Sequence, residues 1–167
     1  MYDVVLAGCR WLENTPWGAT VRGSSWMYPI ALWVHFVGLS MWLGTSLAVD
    51  LRLIGVGARR QTAFELSRGL FSWKWIGFGV AVVGGFLLLS AEATTYVANT
   101  SMRVKLALLT PLALTWHVMV QKNTRAWTEN QPASAIGRWA GSIEFVFWIL
   151  VVAASVGFLL TNAVTHS

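Results

Sequence analysis

The sequence predicts an all-α integral membrane protein, a four-helix up-down bundle preceded by an N-terminal amphipathic surface helix. Three observations carry that prediction. The 167 residues are 56% hydrophobic and only 11% charged, where a soluble domain carries about 25% charged residues. Four apolar stretches, about residues 26–50, 73–95, 101–121 and 142–165, are each long enough to cross a hydrocarbon core of roughly 30 Å at about 1.5 Å per residue. Tryptophans 26, 73, 75, 127 and 139 fall at the ends of these stretches, as an interfacial aromatic belt does.

Taken in order, residues 2–13 put Tyr2, Val5, Leu6, Cys9 and Leu12 on one helical face, the pattern of a helix lying on the membrane surface. Thr15 and Pro16 supply a cap and a first-turn proline for a following helical turn. Ser24 or Ser25 can cap the first span, and Pro29 falls in its first turn, where a missing N–H is harmless. Thr62 and Glu65 have the spacing of a capping box and predict a short interfacial helix before the second span. In that span Gly77 and Gly84 share a face with Ala81 between them, which permits close helix packing or a flat cofactor. Asn99 or Thr100 can cap the third span, and Pro111 should kink it near Ala107. Ala153 and Gly157 give the fourth span a small-residue face. The expectation is a single membrane domain over 1–167, with no internal repeat. Residues 1–25 lack a long apolar run, so no cleavable signal peptide is expected.

The net charge of +5 does not point to nucleic acid, because no basic run or aromatic-basic interleaving accompanies it. The cations sit between spans. Segments 51–74 and 122–141 hold eight Lys/Arg, against four in the N-terminal tail and 95–105. The positive-inside rule then predicts that both termini lie on the outer side of the membrane. The single cysteine, Cys9, excludes an internal disulfide and a thiol-pair redox site. Little chain lies outside the membrane, so the expected partners are the lipid bilayer and either partner subunits or further copies of the chain.

Ionisable groups inside spans mark functional sites, and His35 is the one deep in the first span, with Ala31 and Gly38 clearing space beside it. His117 lies towards the far end of the third. His166 reads as a solvated tail residue. Two intramembrane histidines on different helices are either hydrogen-bonded stitches or the axial ligands of a b-type haem, whose iron takes neutral imidazole between facing helices. Measured from the outer edges, His35 is about 14 Å deep and His117 about 21 Å. That spacing is compatible with one shared haem, but two separate sites also satisfy it. Arg103 and Lys105, at the outer mouth of the third span, would pair with haem propionates or else snorkel to headgroups, and Glu92 would pair with either. Asp50, Arg52 and Glu144 near the inner ends read as anchors, although Glu144 can also accept a proton from His117. A soft-metal alternative would use His35, His117, Met41, Met102 and Met119 for copper.

The run from Trp11 to Gly57 resembles a family of small bacterial four-span membrane proteins without an assigned activity, itself distantly similar to the membrane domain of the copper-resistance D proteins and to small membrane cytochromes b. The resemblance rests on Trp11, Leu12, Thr15 and Pro16; on His35 with Gly38 three residues later; on Asp50, Leu51, Arg52 and Leu53; on Trp75, Gly77 and Phe78; on Asn99, Arg103, Lys105 and Leu106; and on His117. Lys122 and Asn123 depart from it, standing where arginines often follow the histidine. The resemblance supports the architecture, the choice of residues and a bacterial inner-membrane setting with periplasmic termini. The leading expectation, from the two histidines, is a haem b protein passing electrons as a small cytochrome b-like subunit of a larger complex, with quinol or a periplasmic redox protein as partner. The cofactor would be held by His35, His117, Arg103, Lys105, Gly38, Gly77 and Gly84. The competing expectations are a copper-handling protein and a structural subunit without cofactor. No catalytic residue is expected.

Overall fold

The computed structural model describes residues 2–56, 61–128 and 133–165, with side chains as far as Phe158. Every regular element is helical: α1 (Tyr2–Glu13), α2 (Pro16–Gly23), α3 (Met27–Ile54), α4 (Ala63–Ala98), α5 (Thr100–Val104), a π-helical turn (Lys105–Leu109), α6 (Thr110–Thr128) and α7 (Ala135–Thr165). Among the described residues four helical stretches are long and apolar enough to cross a membrane: α3, α4, α5 through α6, and α7. His166, Arg59, Arg60, Gln131 and Pro132 lie outside the described residues.

Local chemistry sets the helix ends. The Gly18 N–H donates to Thr15 Oγ1 (3.3 Å) with Pro16 opening α2, and the Met27 N–H reaches Ser24 Oγ (3.2 Å) ahead of α3. Gly55 closes α3 at φ 103°, a left-handed position that favours glycine. Thr62 and Glu65 form the reciprocal capping box, at 3.0 and 2.7 Å. Asn99 Oδ1 accepts from the Met102 N–H (3.2 Å). The predicted Pro111 distortion takes the form of the π-turn at 105–109, directly before the proline, whose missing N–H interrupts the regular ladder there.

The capping box does not open a separate interfacial helix. It starts α4 itself, which runs unbroken from Ala63 through the second span, because nothing between Thr62 and Trp73 breaks a helix. The third and fourth helices likewise extend past the expected span ends, to Thr128 and from Ala135. α4 breaks only at Glu92 (φ −140°, ψ 41°). There the Thr94 N–H and hydroxyl both donate to Glu13 Oε1 (2.7 Å each), while Arg22 Nη1 donates to Ala91 O (3.3 Å). The surface helix is therefore tied to the bundle. Leu6, Cys9 and Leu12 of the predicted face turn towards it, and Val4 and Trp11 face away.

The four spans pack in a ring: α3 on α4 and α7, and α6 on α4 and α7. The α3–α4 seam is antiparallel and very close. Tyr28 meets Tyr96 (3.4 Å), His35 meets Ala81 (2.7 Å) and Trp42 stacks edge-on against Phe78 (4.8 Å). A Cβ at Gly84 would fall 2.5 Å from His35 N, one at Gly77 2.7 Å from Met41 Cβ, and one at Gly38 inside the Ala81 backbone. Of the proposed belt, Trp26, Trp73 and Trp139 face outward, whereas Trp75 and Trp127 are half-buried.

Candidate functional site

Each span sends one ionisable side chain into the half of the bundle nearer the arginine-rich connections. They are Asp50 from α3, Lys74 from α4, His117 from α6 and Glu144 from α7, exposed by 1%, 2%, 3% and 1%. His117 Nδ1 donates to Glu144 Oε1, which also accepts from Trp148 Nε1 (3.3 Å). Lys74 and Glu144 are the charged neighbours of Asp50. A cavity of about 10 Å³ lies between the four, lined also by Ser46, Ser67, Gln121 and Thr124. That is about the room one water needs. Ser46 Oγ, Asp50 Oδ2, Glu144 Oε2 and His117 Nε2 are buried without a hydrogen-bond partner. Orphaned polar atoms around a water-sized space are what a bound water or a shifting proton would satisfy.

A charge count constrains the state of the site. Isolated charge is costly away from water, by several kcal/mol per ion even after relaxation, so buried ionic clusters approach neutrality. With both carboxyls ionised, Lys74 charged and His117 neutral, the tetrad carries one excess negative charge. One added proton balances it, and that proton has three places to sit: Asp50, Glu144 and His117.

His35 is elsewhere. Its Nδ1 donates to Ala81 O (2.7 Å) and its ring lies against Gly85, while Nε2 is left as an acceptor. His117 packs against Trp42 from the side of the arginine-rich end, ring centroids 6.0 Å apart. Trp42 lies seven residues beyond His35, about 10 Å along the helix. Two axial ligands of one iron must share a depth, and these do not. The glycine faces that would accept a porphyrin are filled by backbone: Gly38, Gly77 and Gly84 bring α3 against α4. A single haem shared by His35 and His117 does not fit this arrangement. Arg103 is exposed and donates to Thr100 Oγ1 (3.0 Å), and Lys105 is half-buried. Glu92 forms no ion pair with either among the described residues. The soft donors are dispersed, with Met102 in the outer apolar cluster, Met119 in the inner one and Met41 against Gly77. Among the described residues no group of three or more His, Cys, Asp and Glu side chains is arranged to hold a metal.

Asp50 and Glu144, read from sequence as anchors, are the centre of the site, and the expected proton exchange between Glu144 and His117 has its geometry here. Lys74 was missed. Counted as a loop cation, it lies eleven residues inside a helix whose start the capping box marked. A second signal was available: His117, Gln121, Thr124 and Thr128 recur at intervals of four, three and four, one polar stripe along α6.

Fold and site together define a multi-pass α-helical membrane protein with an ionisable cluster built from all four spans. Comparison with protein-family models, with curated proteins and with solved structures finds no match for the chain.

Proposed function

We propose that this protein handles protons within the membrane, with Asp50, Lys74, His117 and Glu144 holding one exchangeable proton. The observation that carries this reading is the convergence of two buried carboxyls, an ammonium and an imidazole on one water-sized cavity, with a polar atom of three of the four left unpartnered. Intramembrane acid–base groups facing a bundle interior are the components of proton relays. Lys74 supplies a counter-charge to the two carboxyls, His117 and Glu144 are hydrogen-bonded for direct transfer, and Trp148 fixes the Glu144 carboxyl. On the positive-inside rule the tetrad lies nearer the cytoplasm, with both termini periplasmic: without the buried Lys74, the arginine-rich side still holds seven cations against four. The test is a proton-binding titration of the detergent-purified protein. Asp50→Asn and Glu144→Gln should each bind fewer protons than wild type over some pH interval, and identical titrations would reject the reading.

A haem b ligated by His35 alone is the second reading. The Ala81 carbonyl fixes the imidazole with its proton on Nδ1, which leaves Nε2 as the ligating atom. In that reading the chain is an electron-transfer subunit served by a quinol or a periplasmic redox protein. The optical spectrum of the reduced protein tests it: a haem b band lost in His35→Ala supports it, and a featureless spectrum rejects it.

A further inference from the structure

The surroundings of the tetrad differ on its two sides. Towards the termini, every span places an apolar residue above its ionisable one. Phe78 follows Lys74 by one turn, Trp148 follows Glu144 by one turn, Ala113 precedes His117 by one turn, and Trp42 precedes Asp50 by two. These form one packed layer, with Trp42 at its centre: its ring lies 4.8 Å from Phe78, 4.6 Å from Trp148 and 6.0 Å from His117. The Trp42 Nε1–H is buried without a partner and Trp148 Nε1 turns back to Glu144, so no side chain of the layer donates a hydrogen bond across it towards the termini.

Towards the arginine-rich end the α6 stripe continues from His117 through Gln121 and Thr124 to Thr128. Thr124 and Thr128 are buried and their hydroxyls donate back to Val120 O (2.6 Å) and Thr124 O (2.7 Å). Those donations leave the hydroxyl lone pairs free to accept. Ser67 of α4 faces the same cavity as Gln121 and Thr124. Polar atoms one helical turn apart, about 5.4 Å, are within the span of a bridging water.

We infer that the tetrad exchanges protons with the arginine-rich side only, along the Gln121–Thr124–Thr128 stripe, and that Trp42 is the gate closing it from the other side. This rests on the proton-handling reading and adds a direction and a gate to it. The transfer is a proton hop: a hydronium on the stripe gives its proton to a tetrad carboxylate and becomes water, and no electron moves. Opening the path to the far side requires the Trp42 indole to leave the layer.

The experiment reconstitutes the full chain into phospholipid vesicles containing a pH-sensitive dye, with a potassium gradient and valinomycin to drive proton entry. Wild type should show no sustained flux. Trp42→Ala should gain one, and adding Glu144→Gln or Thr124→Val should return it to the wild-type level. Trp42→Phe, which keeps an aromatic ring and is the milder change if the alanine variant does not fold, should give a smaller flux of the same dependence. Flux that survives Glu144→Gln would place the leak outside the tetrad and overturn the path. Wild-type flux as large as that of the variants, or no flux in folded Trp42→Phe and Trp42→Ala, would overturn the gate. If proton binding by the purified wild type still depends on Asp50 and Glu144 in that case, the proton-handling reading stands and only the gate falls. Loss of that dependence would remove both.

Discussion

Replacing Lys74 by methionine removes the ammonium from the tetrad while keeping most of the side-chain volume. Asp50 and Glu144, each 1% exposed, are then neighbours without the cation whose charge acts on both. Lys74 acts on both carboxyls through its charge rather than by a direct ion pair among the described residues, so the loss should be about 1–3 kcal/mol, the cost of leaving a buried polar group uncompensated. The cluster has one escape, which is to take up a further proton, so the loss should be greatest at high pH and shrink as the pH falls. The double variant Lys74→Met/Asp50→Asn removes one charge of each sign and should recover most of the loss. In a double-mutant cycle the coupling between the two sites should exceed about 1 kcal/mol, beyond the few tenths that independent sites show. Reversible unfolding in mixed micelles, followed by tryptophan fluorescence, provides the assay. A Lys74→Met variant within about 0.5 kcal/mol of wild type, the range of surface substitutions, would refute the idea that Lys74 neutralises the carboxyls.

Three other outcomes are expected. Gly38→Val places side-chain carbon inside the Ala81 backbone and should destabilise the α3–α4 seam by at least the roughly 1–3 kcal/mol of core overpacking, read in the same unfolding assay. Glu13→Ala removes both acceptor contacts to Thr94 at the α4 break; it should raise hydrogen exchange at Thr94 and protease cleavage between α2 and α3 while leaving the tetrad's proton binding unchanged. The Cys9 thiol, pushed above its ordinary value by burial and then by the nearby Glu13 carboxylate, should label slowly with maleimide at neutral pH and faster as pH rises, and Glu13→Gln should speed the neutral-pH reaction.

Much of the fold was legible because membrane architecture follows from local rules. Length and apolarity marked the four spans, and Thr15, Thr62, Asn99 and Pro111 acted where their own chemistry placed them. The glycines at 38, 77 and 84 were also visible, but the sequence left open whether they admit a cofactor or a helix. That depended on which face of α3 meets α4, a property of two helices at once. The site was less legible. His117 stood out as a histidine inside a span, whereas Asp50, Lys74 and Glu144 looked like the cations and acids that ordinarily mark span ends. Their meaning lies in convergence: four separate positions, each unremarkable in its own helix, meet only when the ring closes. Ending the second span at Trp73 pushed Lys74 to the surface, although the Thr62–Glu65 box and the unbroken helix-compatible run after it placed that lysine three turns inside α4.

The central claim is that the tetrad holds an exchangeable proton on groups that include two buried carboxyls. Infrared difference spectroscopy of the protein in lipid films, recorded as pH is stepped, reads this from the carboxylic C=O stretch. The account predicts a protonated-carboxyl band that appears on acidification, shifts in deuterated water, and is lost or displaced in Asp50→Asn and in Glu144→Gln. A wild-type spectrum whose carboxyl bands are unaltered by either substitution would contradict it.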